Sequence, residues 1–422
     1  MKSSRTWKIA ISVAVTAMLC QTGSAWAQEE EISVLMFSLP VTRGIAELTD
    51  QFEEETGIKV NVEVVGQNVF ENQVMLAFTG RTGDLDVVHV PAIQLQRWVA
   101  AGWLTPMTDK VNGSDNAAGF FPSALTTYDV AGENYGLPMF VETGLMAYRT
   151  DLIDTPPATW EETKNTAAEV HSDATAGIVM RTSPGQGFNM FVLPMITRAY
   201  GGKFFADFPG DMSVVVDSPE NLQGLDLYTA MLTESGPPGV SNINYPEAVA
   251  LMQAGGAAMF IDGTSNVVPT LDPETSSVAD KIGLAPVPEG PAGRSPAIAV
   301  HGLGIPASSS KADAAYRFIE WATSEDVQAQ IAINESYPDF TRPAVGEHQD
   351  VADKYAAINP DLIQLRSASL SDTIPNYRPL IPQWPEIGAA IGDNVNSALN
   401  GIITNAEALK NAQAEVQEIL DQ

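Results

Sequence analysis

The sequence predicts an α/β fold in two lobes, each a mostly parallel sheet flanked by helices, and three observations carry that expectation. Residues 32 to about 90 alternate strand and helix patterns in the order β-α-β-α-β, which a largely parallel sheet with helices on its faces accommodates. Two Gly- and Pro-marked runs, 135–149 and 282–296, interrupt the order without being long linkers, as expected where a chain crosses between lobes and returns. The chain is 422 residues long and 45% hydrophobic, enough for more than one sizeable core.

Each element has a local reason. Residues 32–37 (Ile-Ser-Val-Leu-Met-Phe) read as a buried strand. Residues 44–55 place Ile45, Leu48 and Phe52 at helical spacing, and Gly57 stops that helix. Ile58, Val60, Val62 and Val64 alternate as a second strand; a helical stretch around 74–78 then leads to a third, short strand over 86–90. Thr159 with Glu162 forms a capping box, and Ser218 with Pro219 an N-cap followed by proline at the first helical position. Helices start at both. Leu225, Tyr228 and Leu232 give the second a buried stripe. A further helix over 248–252 follows Tyr245-Pro246, and 256–261 read as a strand. Ala315, Phe318, Ile319 and Ala322 mark an amphipathic helix within 311–330, and 386–420 are helical in composition. The expected path is lobe one over 28–137, lobe two over 138–285, a return to lobe one over 286–332, then lobe two and the C-terminal helices over 333–422.

The first 27 residues predict an address rather than a fold. Lys2, Arg5 and Lys8 precede an apolar stretch over 9–19 that is short for a bilayer, and Ala25-Trp26-Ala27 offers small residues where a signal peptidase reads. Cleavage after Ala27 and release into the periplasm are expected. Cys20 follows Leu19, where a lipoprotein signal requires a small residue.

Composition excludes several functions. Lys and Arg total 22 against 52 Asp and Glu, a formal charge of −30, so nucleic acid and anionic lipid are repelled. A single cysteine permits no intrachain disulfide, Cys-rich zinc site or CxxC pair. His89, His171, His301 and His348 are far apart in sequence, and no HExxH, GxSxG, GxxxxGK[ST] or EF-hand pattern occurs. No catalytic residue, metal or cofactor is therefore expected. The alternative is a secreted polysaccharide hydrolase or lyase with an Asp/Glu pair, and pairs such as Asp84/Asp86 are too common in so acidic a chain to locate one.

Several runs together resemble the extracellular solute-binding proteins of ABC importers, family 1. They are Thr56 to Val60, Gly83 to Val88, Ala101-Gly102-Trp103-Leu104, Tyr135-Gly136-Leu137-Pro138 with Leu145 to Asp151, Gly255 to Met259, Gly304 to Ser309 and Ala314 to Ser324. Residues Arg181 to Met190 and Gly236-Pro237-Pro238-Gly239 are similar to the sugar- and polyol-binding branch. The resemblance implies a type II periplasmic-binding-protein fold and a ligand cleft between the lobes. It also implies hinge closure and delivery of a sugar, sugar acid or polyol to an inner-membrane permease. Where the polyol branch tends to carry Tyr-Glu, Trp and Glu, this chain has Ile93-Gln94, Gln186 and Phe188, and it lacks a Trp near His301. Fewer aromatic and acidic ligand contacts are expected.

Arg181 leads the site candidates, because its planar fork of donors clamps vicinal hydroxyls or a carboxylate and it matches a contact position of the similar binders. Asp86, Glu142 and Asp262 are acceptors for paired hydroxyls, and Gln94 and Gln186 offer both donor and acceptor. His301 beside Gly302, Arg378 between Tyr377 and Pro379, and Ser38 directly after the first strand are further polar candidates. Tyr128, with Phe140, Phe188 and Trp384, supplies apolar faces for sugar C–H groups. Arg181 and Asp86 are expected to meet the ligand from opposite lobes. Loss of Arg181 is expected to weaken binding by about 2 kcal/mol or more with the fold intact. A monomer is expected, since lobes that open, close and dock gain little from a large obligate interface.

Overall fold

The computed structural model describes residues 30–335, 337–374 and 377–422; the expected signal sequence over 1–27, with Cys20, lies outside the described residues. Strands β1 (Glu31–Phe37), β2 (Lys59–Val65) and β3 (Val87–Pro91) pair in parallel around β1, as the alternating pattern requires. The single helix expected over 44–55 is two, Pro40–Glu47 and Thr49–Thr56. Its start moves back because Pro40 occupies the first turn and the Thr42 hydroxyl donates to the Phe37 carbonyl while accepting the Leu39 N–H, both at 2.8 Å. Gly57, at φ 72°, ends the second helix in the left-handed region that suits glycine.

The first link between lobes is one long strand. β4 (Leu137–Arg149) pairs over 137–143 with β7 (Ile298–Gly304), and over 144–149 with β5 (Met259–Gly263) and β6 (Ile282–Pro286), always antiparallel. Together they give the order β6-β4-β7-β3-β1-β2, with β5 also on β4. A third crossing runs beside β4: the Val141 N–H donates to the Asp339 carbonyl (2.9 Å) and the Thr341 hydroxyl to the Pro138 carbonyl (3.1 Å). β4 leads out of lobe one and the segment carrying β6 and β7 leads back, so their pairing is antiparallel, and β5 also runs against β4. The parallel pairing expected throughout each lobe is accordingly confined to β1–β3 and to short bridges such as Ala176 with Ala257 and Val179 with Phe260. The strand expected over 256–261 starts only at Met259, because the left-handed turn at Gly255 still belongs to the end of the Tyr245–Gln253 helix.

Both expected caps form. Thr159 and Glu162 make the reciprocal box at the start of Trp160–Val170, and Ser218 accepts the Asn221 N–H at the start of Pro219–Ser235. Leu225, Tyr228 and Leu232 are buried on that helix as the stripe requires. The amphipathic segment over 311–330 divides into Ala312–Ala322 and Glu325–Asn334, because Ser324 caps a new helix through the Val327 N–H. The cores separate accordingly. Ile32, Val34, Phe52, Phe318 and Ile319 pack in lobe one, and Trp160, Phe191, Tyr228, Ile261 and Trp384 pack in lobe two beneath the helices Trp384–Leu399 and Asn405–Leu420.

Candidate functional site

The carboxyl ends of β1 and β3 and the crossing strand β4 open onto a cavity of about 630 Å³ between the lobes. That is where open α/β sheets present binding groups. From lobe one it is lined by Phe37, by Phe70 and Val74 of the Gln67–Gly80 helix, and by Gln94, Arg97 and Trp98 of the Ala92–Ala100 helix. Glu142 of β4 and His301 of β7 line it from the crossings, and Arg181, Gln186, Phe191 and Arg378 from lobe two.

Arg181 is held rigidly. Its Nε and Nη2 donate to the two Asp262 carboxylate oxygens at 2.7 and 2.5 Å, and Nη1 donates to the Gly187 carbonyl at 2.7 Å. The guanidinium carbon lies 4.2 Å from the centre of the Phe191 ring. Asp262, fully buried behind it, also accepts the Gly263 N–H and the Asn266 amide. The loop carrying Gln186 packs on the Trp384–Leu399 helix at Gly388, where a Cβ would come within 2.6 Å of the Gln186 Cβ.

Glu142 accepts the Ser265 hydroxyl. Burial pushes its carboxyl up to about 7, a rise that nearby Asp339 and Asp262 reinforce and Arg181 opposes. His301 Nδ1 lies 2.8 Å from His89 Nε2, and the imidazole stacks on Phe140 at 4.5 Å with Phe37 edge-on. Burial, with the Arg378 charge beside it, pulls His301 down to about 3, so this ring is neutral throughout the physiological range. Arg378 donates to the Gln186 and Ile298 carbonyls at 3.1 and 3.4 Å.

Six of the candidate residues therefore meet at one cavity: Gln94, Glu142, Arg181, Gln186, His301 and Arg378. Four do not line it. Asp86 precedes β3 and so sits at the amino end of that strand, away from the cavity; its carboxylate accepts the Ser33 N–H, the Ser309 hydroxyl and the Lys311 ammonium. Tyr128 is fully buried, donating its hydroxyl to the Val90 carbonyl at 2.6 Å. Asp262 stands behind Arg181 as its counter-ion. Ser38 is exposed beyond the end of β1, where its N–H bonds the Val65 carbonyl. Of the aromatic candidates, Phe140 backs His301 and Trp384 is core.

Sequence reasoning missed Phe37, Phe70, Arg97, Trp98 and Phe191. One signal was available: Gln94, Arg97 and Trp98 fall at i, i+3 and i+4 and share a helix face.

The family described as bacterial extracellular solute-binding protein matches residues 40–329. The mannitol-binding protein of Pseudomonas aeruginosa is 28% identical over 397 residues, covering 87% of each chain. A crystal structure of an ABC transporter solute-binding protein from Agrobacterium vitis S4 with bound D-mannitol matches at a TM-score of 0.78 and 27% identity, over 93% of this chain and 99% of that one. The solute-binding protein of Agrobacterium radiobacter K84, in complex with ribitol, shares the fold at a TM-score of 0.80 and 24% identity, over 92% and 98% of the two chains.

Proposed function

Because the chain belongs to the bacterial extracellular solute-binding protein family, we propose that it is the periplasmic substrate-binding component of an ABC importer. It captures a carbohydrate or related polyhydroxylated solute by hinge closure and hands it to an inner-membrane permease. The observation that carries this reading is the cavity itself, where Gln94 from lobe one, Glu142 from the crossing strand and Arg181, Gln186 and Arg378 from lobe two converge over apolar rings. Hydroxyls need paired donors and acceptors, and sugar C–H faces need apolar surface. A solute touching both lobes favours the closed arrangement by its differential contacts. The mannitol bound by the Agrobacterium vitis protein supports a ligand of this class.

Four site residues of this reading are ligand contacts: Gln94, Glu142, Arg181 and Gln186. The lobes follow the crossings, with lobe one over 28–137 and 286–332 and lobe two over 138–285 and 333–422, and residues 1–27 are a cleaved export signal. The protein works by binding rather than turnover. A thermal-shift screen of sugars, polyols, sugar acids, amino acids and oligopeptides tests the reading, since a ligand at 100 times its Kd adds about 2.7 kcal/mol of stability. Stabilisation by peptides or amino acids alone refutes it, and release of new reducing ends from a polysaccharide would establish the hydrolase instead.

A further inference from the structure

Acids outnumber bases 52 to 22 in this chain, yet three arginines, Arg97, Arg181 and Arg378, line the cavity against two carboxylates, Glu71 and Glu142. Arg181 is matched by Asp262. Arg378 is not. Among the described residues its guanidinium makes no ion pair and donates only to the uncharged Gln186 and Ile298 carbonyls, at 3.1 and 3.4 Å, while its carbon lies 5.3 Å from the centre of the Phe191 ring. Glu142 is ion-paired with neither arginine and, with its carboxyl pushed up to about 7, is only partly ionised near neutrality. His301, beside Arg378, is neutral.

A cleft that closes over Arg378 therefore buries a positive charge with little compensation. A neutral hydroxyl can accept one of its hydrogen bonds but leaves the charge, whereas a carboxylate accepts two parallel bonds and cancels it. We propose that the solute is a sugar acid whose carboxylate pairs with Arg378 while its hydroxyls meet Glu142, Gln94 and Gln186. This rests on the reading of the cavity as a site for a polyhydroxylated solute and narrows that reading to its anionic members. The exposed Arg97 has a place in the same account. The net charge of −30 repels an anion at long range, and a cation on the lobe-one side of the cavity offsets that repulsion where the ligand enters. A second consequence is proton uptake, because a carboxylate seated on Arg378 lies within electrostatic reach of Glu142 and its like charge favours the protonated form of that residue.

Titration calorimetry at pH 7 on matched pairs that differ only in a CH2OH or a carboxylate tests the proposal. The pairs are D-mannitol with D-mannonate, D-glucose with D-glucuronate, and D-galactose with D-galacturonate. In at least one pair the acid is expected to bind about tenfold or more tighter than its neutral partner, as hydrogen bonds to charged groups imply. Repetition in buffers of different ionisation enthalpy is expected to show proton uptake with the acid only. The preference is expected to vanish in Arg378→Gln and to survive in part in Arg378→Lys. Neutral members binding as tightly as the acids overturn the anionic proposal and leave the polyhydroxylated-solute reading standing. Binding by no member of any pair overturns both. An acid preference that persists undiminished in Arg378→Gln removes Arg378 from the account, and the wild-type comparison decides the ligand class even where that variant does not fold.

Discussion

Replacing Arg181 by methionine is the sharpest probe of the cavity wall, and its main effect is expected on stability. The sequence alone suggests a ligand clamp that can be removed with the fold intact. In the structure Arg181 is 6% exposed and Asp262 is 0% exposed, so the variant leaves a buried carboxylate with only the Gly263 N–H and the Asn266 amide. Removing one partner of a buried ion pair costs about 3–5 kcal/mol, and the Gly187 carbonyl loses its donor as well. For a lobe of roughly 200 residues each kcal/mol moves Tm by about 2–4 °C, so a fall of about 6–20 °C is expected. Asp262→Ala should cost less, because the freed guanidinium still faces the open cavity. The double variant Arg181→Met/Asp262→Leu removes both charges and should lie closer to wild type than the sum of the singles, by roughly 2 kcal/mol of coupling. Thermal melts followed by circular dichroism on the four ligand-free proteins measure the cycle. An Arg181→Met protein that melts within about 3 °C of wild type, or strictly additive singles, refutes the reasoning.

Asp86 is 1% exposed and remote from the cavity, and Asp86→Ala removes the shared acceptor of three donors, so it should lower stability by about 2–4 kcal/mol and leave solute affinity unchanged; a tenfold loss of affinity by calorimetry would return Asp86 to the site. Glu142 holds its proton to about 7 when folded but only to about 4.3 when unfolded, so its contribution is full below the lower value and is lost as pH rises through the higher one. Glu142→Gln, uncharged at every pH, should therefore gain on wild type in Tm between pH 5 and pH 8, and a constant difference across that window contradicts the shift. Gly302→Ala would place a Cβ 2.4 Å from the Leu137 carbonyl and 2.7 Å from the Tyr128 ring, so it should spread β4 from β7 and cost more than about 2 kcal/mol in denaturant unfolding; a wild-type midpoint would refute this.

What the sequence reveals is local. The strand of 32–37, the Thr159 box and the Ser218 cap are each decided within a few residues, and all three form. The direction of the crossing strands is decided by where the chain has come from, which no window of residues contains, so the extent of parallel pairing was overestimated. The same gap explains the fate of the acids. Asp86 and Glu142 both sit in or beside apolar strands, but Asp86 precedes its strand and Glu142 lies where β4 passes the cavity. Phe70 and Val74 carry the i, i+4 spacing of an ordinary core stripe, and only the tertiary arrangement puts that stripe on a cavity wall.

The buried charges themselves have an order that bears on function. Arg366, paired with Asp339, donates also to the Val141 and Phe340 carbonyls at 2.8 and 2.6 Å, and so ties the first crossing to the third. Thr264, directly after β5, donates to Asp339, which brings the lobe-two sheet into the same network. Arg181 faces the cavity, and Asp262, on β5, stands behind it. Buried ion pairs contribute little net stability compared with apolar packing, but their directional hydrogen bonds can fix which segments lie beside one another. Two arginines are thus matched by buried aspartates that set the geometry of the crossings and of the wall before any solute arrives. Arg378 lies on that preset wall without such a partner, and the charge that the protein leaves unmatched there is the one a bound carboxylate would complete.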